Sequence, residues 1–199
     1  AIGGLYIKLA PSSTDCINFL EIRRRTLDVN AELTRTRTRE DSLLADKISR
    51  LHIYFSLLRR GLTEDEKSRL DVELMRLYEK FGITRDNDSL YDADGTLKPQ
   101  PTPADFYNLL SEREETKPLA GILSRFVNGS AANLGGETNI DMNNKYIVLD
   151  ISEIGKELLP FGTLLAADIC LDYCRMSRAE NKVVILDEVW SLIGAGSNA

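Results

Sequence analysis

Histidine and tryptophan each occur once in this 199-residue chain, at His52 and Trp190, and cysteine three times, at Cys16, Cys170 and Cys174. So few ligand-bearing side chains leave no zinc cluster to build, and an odd, sparse cysteine set excludes a disulfide framework and suits a reducing compartment. Cys170 and Cys174 lie four apart in a helical pattern and are expected to share a packed face rather than a metal. No apolar run approaches the roughly 20 residues that a membrane-spanning helix needs. The opening Ala1-Ile2-Gly3-Gly4 has neither the basic start nor the apolar core of a secretory signal. A net charge of -6 excludes the basic surplus of a sequence-independent nucleic-acid binder. A phosphate-binding Gly-x-x-x-x-Gly-Lys-Ser/Thr loop is also missing. The nearest approach, from Gly61 to Lys67-Ser68, puts Glu66 where the second glycine belongs, and its carboxylate would repel a phosphate.

What the chain does have is ordinary globular material, 43% hydrophobic and 28% charged, enough for one well-buried domain with a smaller helical lobe. Leu5 to Leu9 reads as a strand closed by Pro11-Ser12-Ser13, and Ile17 to Ile22 as an extended or turning segment. The basic stretch over 23–39 carries Arg35, Arg37 and Arg39 interleaved with acids; it reads as a solvated loop or as a contact for phosphate or an acidic partner. Leu44, Ile48, Leu51, Phe55 and Leu58 mark an amphipathic helix over 41–60 that Gly61 ends. Thr63 and Glu66 make a capping box that starts a second helix, closed at Gly82, so the pair forms an antiparallel hairpin. Asp94-Gly95 reads as a turn between Leu90-Tyr91 and Thr96-Leu97, since a calcium loop in that register would put Leu90 and Pro101 at ligand positions. Helices follow from Thr102 or Pro103 and from Pro118 to Val127. A hairpin over 135–144 is expected to lead into a buried strand over 146–150, then a long helix over 157–176.

The most informative stretch is Val183-Val184-Ile185-Leu186-Asp187-Glu188. An unbroken apolar run ending in two acids reads as a strand buried on both faces of a parallel sheet, with its carboxylates at the carboxyl edge, where open α/β folds place ligands. Strand, long helix and strand then form a right-handed crossover unit. The acids could equally cap the next helix.

With Trp190, Leu192 and Ile193 following, this stretch resembles the hydrolytic strand of the conjugative-transfer ATPases of type IV secretion systems, the VirB-four family. Ile17 to Ile22, Pro103 to Leu110, Phe126 to Ser130 with Gly136 to Ile140, and Ile147 to Ile151 are similar to further segments of that family in the same order. The resemblance implies an α/β fold. A partial RecA-like P-loop NTPase core with a parallel sheet would occupy 1–22 and 128–199, and an inserted, mainly helical subdomain 23–127. It implies that Asp187 supports Mg²⁺ through a water and that Glu188 activates the attacking water. ATP and Mg²⁺ would serve the full-length parent, which couples hydrolysis to DNA or protein transfer across the bacterial envelope. That parent would be a hexamer at the cytoplasmic face of the inner membrane, with other secretion components as partners and possible DNA contact.

The chain is expected to be a middle piece of such a motor domain, with no cofactor-binding residue of its own and no hydrolysis by itself. Two other readings stand beside this one: a non-catalytic helical interaction module, and a piece of another RecA-like DNA-translocating or coupling ATPase.

Overall fold

The computed structural model describes residues 3–23, 42–142, 144–176 and 181–187. Two short strands, β1 (Leu5–Lys8) and β2 (Ile147–Asp150), pair in parallel with Leu5 opposite Ile147 and Lys8 opposite Asp150. Leu9 N–H donates to the Asp150 carbonyl, carrying the ladder one residue further. Ile7 and Leu9 are buried, but Tyr6 on β1 and Val148 on β2 stand 59% and 55% exposed. The expectation of strands buried on both faces therefore holds on one side only, because nothing among the described residues covers the other.

Helix α1 (Leu43–Leu58) begins where the Ser42 hydroxyl accepts from Ala45 N–H, and it buries the stripe Leu44, Lys47, Ile48, Leu51, Tyr54 and Phe55. Gly61 turns the chain with φ +76°, a conformation that glycine adopts without strain. Helix α2 (Glu64–Lys80) starts on the complete Thr63–Glu66 capping box and ends at Gly82, φ +69°. Arg59 pairs with Glu66 at 3.0 Å and His52 with Asp71 at 3.2 Å, so the two helices run antiparallel as expected. His52 is thus a surface helix residue. The Asp94-Gly95 turn is also as read: Tyr91 and Leu97 form an antiparallel bridge around it.

Helix α3 (Pro103–Ser111) opens on a second capping box, Thr102 with Asp105, and α4 (Lys117–Val127) follows. At Gly135 a side chain is impossible without movement, since a Cβ there would lie 1.9 Å from the Phe126 carbonyl oxygen. The hairpin expected over 135–144 is absent from the described residues. Thr138 and Asn139 bond across to the 16–18 segment instead: Asn18 N–H donates to Thr138 Oγ1 at 3.0 Å and Cys16 N–H to Asn139 Oδ1 at 2.8 Å. Side-chain acceptors here do what a strand ladder would otherwise do.

Helix α5 (Leu159–Met176) then crosses back over the core. Four aromatic rings lock the segments together. Phe19 lies 5.5 Å from Tyr54 of α1, 5.9 Å from Phe126 of α4 and 5.2 Å from Phe161 of α5, centroid to centroid. These are tilted and edge-on contacts, the geometry that ring quadrupoles favour. No helix among the described residues is long and apolar enough to cross a membrane.

Candidate functional site

The stretch from which the chemistry was read is described as far as Asp187; Glu188, Trp190 and Ile193 lie outside the described residues, as does most of the basic 23–39 stretch. Over 181–187 the backbone forms no strand, and Val183, Val184, Ile185 and Leu186 are exposed, Ile185 by 86%. The expected strand at 183–187 is therefore not part of the sheet, which among the described residues consists of β1 and β2. The physical reason is that a four-residue run has no ladder of its own and becomes a strand only against a partner. Asp187 is likewise exposed.

The carboxyl edge of the sheet is instead marked by Lys8 and Asp150, the last pair in register. Asp150 accepts from the Tyr6 hydroxyl and, at 2.9 Å, from Ser152 N–H. These bonds, the Tyr6 one foremost, hold its carboxyl down at about 2, while the same contact raises the Tyr6 phenol. Lys8 pairs with Glu153 at 2.7 Å. The Asp150 carboxylate at this edge therefore stays ionised throughout the neutral range. Among the described residues, no group of three or more His, Cys, Asp or Glu side chains is placed to hold a metal.

The two helical cysteines do not form the packed pair expected of them: Cys170 is half-buried and Cys174 exposed. Burial, with Cys174 adding to it, pushes the Cys170 thiol up, away from a reactive thiolate.

A second polar centre lies where the 15–23 segment, α1 and α5 meet. Arg23 and Arg50 bracket Asp172, at 3.3 Å and 3.2 Å, and Arg50 also reaches Asp168 at 3.6 Å. The Tyr54 hydroxyl donates to Asp168 at 2.9 Å, and Arg23 donates to the Asn18 carbonyl at 3.3 Å. Lys47 completes the group from inside the apolar stripe of α1, only 4% exposed. Sequence reading missed this centre, because its partners are up to 149 positions apart. The available signal was Lys47 itself, a charge on the buried face of an amphipathic helix.

The near-miss loop at 61–68 is the capped start of α2, with Glu66 tied to Thr63, and no nest of free backbone amides opens there.

The element order and parallel pairing define a mixed fold of packed helices on a small parallel sheet, and that fold is VirB4-like. The particular likeness is to the structure of VirB4 of Thermoanaerobacter pseudethanolicus, with TM-score 0.74 and 27% identity, covering 96% of this chain and 69% of that one. Comparison with protein-family models and with curated proteins found no match.

Proposed function

We propose that this chain works as part of a type IV secretion ATPase, a RecA-like motor that couples ATP hydrolysis to DNA or protein transfer across the bacterial envelope. The observation that carries the reading is the similarity to VirB4 over 96% of the chain, supported by the strand–acid pattern at Val183 to Glu188. In the working motor Asp187 supports Mg²⁺ through a water and Glu188 polarises the water that attacks the γ-phosphate. The triphosphate cradle must come from groups other than those described, so this chain by itself neither binds ATP tightly nor turns it over. Hexamer formation at the inner membrane face, contact with other secretion components and DNA contact through the transfer machinery belong to the same proposal.

The test is Glu188→Gln in the full-length protein. Turnover is expected to vanish while nucleotide binding persists; unimpaired hydrolysis would remove Glu188 from the mechanism. The exposure of 183–186 outside the sheet favours a second reading, a non-catalytic helical interaction module. Under that reading Asp187→Ala and Glu188→Gln leave every nucleotide-dependent property of the full-length protein unchanged.

A further inference from the structure

We propose that the ion cluster of Arg23, Lys47, Arg50, Asp168 and Asp172 is a proton-operated latch that holds α1 and the 15–23 segment against α5, with Lys47 as the group that exchanges the proton. This inference is independent of the ATPase reading.

The geometry has three parts. Asp172 is gripped from two sides, its Oδ2 by Arg23 and its Oδ1 by Arg50, so one carboxylate ties two segments to α5. Asp168, one helical turn away, is held by Arg50 and by the Tyr54 hydroxyl. Beside Asp172 lies a cavity of about 20 Å³ lined by Glu21, Arg23, Lys47, Arg50 and Asp172, room for one water.

Three cations then face three carboxylates, but the balance is local. Glu21 is engaged by the Thr138 hydroxyl at 2.5 Å. Arg23 Nε is buried and finds no hydrogen-bond partner among the described residues. A proton on Lys47 adds a third positive charge in a desolvated seam that Arg23 and Arg50 already occupy, and such a charge is costly to bury.

Among the described residues, the groups facing Lys47 are Arg50 on α1 itself, Arg23 and Glu21 from the preceding segment, and Asp168 and Asp172 from α5. Burial, Arg23 and Arg50 outweigh the two aspartates and bring the ammonium down to about 7. In an opened seam the ammonium is hydrated and keeps its proton to beyond pH 10. Closing therefore releases a proton between about pH 7 and 10, and opening takes one up. Raising the pH through this window tightens the latch; below about 7 the seam is at its weakest.

Hydrogen exchange of the full chain, corrected for intrinsic chemical rates, tests this. Protection of the α1 amides that face α5 should rise by up to about tenfold per pH unit above pH 7. Lys47→Met, which keeps the length and removes the charge, should abolish that slope and leave protection at its high-pH level. A wild-type chain with no slope, or a Lys47→Met chain that keeps it, overturns the latch. Should the variant not fold, an NMR titration of the Lys47 Cε resonance in the wild-type chain decides the matter: a midpoint near 7 supports the latch, and one above 10 ends it.

Discussion

Tyr6 and Asp150 lie at the sheet's carboxyl edge, and their hydrogen bond sets the charge there. Because the Asp150 carboxyl is held at about 2, first by the Tyr6 hydroxyl and then by Ser152, the favourable contribution is complete above the ordinary range near 4. It is lost only as pH falls through about 2. Tyr6→Phe removes the largest cause, so the Asp150 midpoint should move up toward the ordinary value in an NMR titration; an unmoved midpoint would mean that Ser152 alone sets it. A second residue-scale expectation concerns Gly135. A methyl group there collides with the Phe126 carbonyl oxygen at 1.9 Å, and neither partner is a flexible side-chain tip. Gly135→Ala should cost about 3 kcal/mol in urea unfolding, in line with backbone displacement in a packed region.

Helix starts were legible in the sequence because their causes are local. Thr63 and Glu66 are three residues apart and close their box without help from the rest of the chain. Thr63→Ala should therefore lower stability by about 1 kcal/mol, read by the same unfolding. The strand over 146–150 and the long helix after it were legible from an apolar run and from length, but the crossover unit expected to join them to a strand at 183–187 does not form among the described residues. The stretch 183–187 was not legible, because a strand is a relation between two segments and the pattern names only one of them. The same reason hid the Arg23–Asp172 and Arg50–Asp168 contacts: nothing near Arg23 in sequence announces an aspartate on α5. The sheet's absence at 183–186 has a direct check. With Ile185 86% exposed, Ile185→Asp should change stability by less than about 0.5 kcal/mol. A loss of several kcal/mol would put this run inside a sheet, as its sequence pattern suggests.

At the scale of the molecule, the four-ring cluster makes distant segments depend on one another. Phe161 touches Phe19, Tyr54 and Phe126, with centroids at 5.2, 5.4 and 5.1 Å, so one ring serves the 15–23 segment, α1, α4 and α5. Phe161→Ala should cost about 3–5 kcal/mol, and protection should fall in all four segments together rather than in α5 alone. The pairing of β1 with β2 has a consequence in time. Its two halves are separated by roughly 140 residues, so at translation speeds of about 5–20 residues per second the first strand leaves the ribosome about 7–30 s before its mate exists. During that wait Ile7 and Leu9, buried in the finished fold, lack the strand they pair beside. Newborn chains interrupted before position 147 should therefore be the ones that chaperones retain.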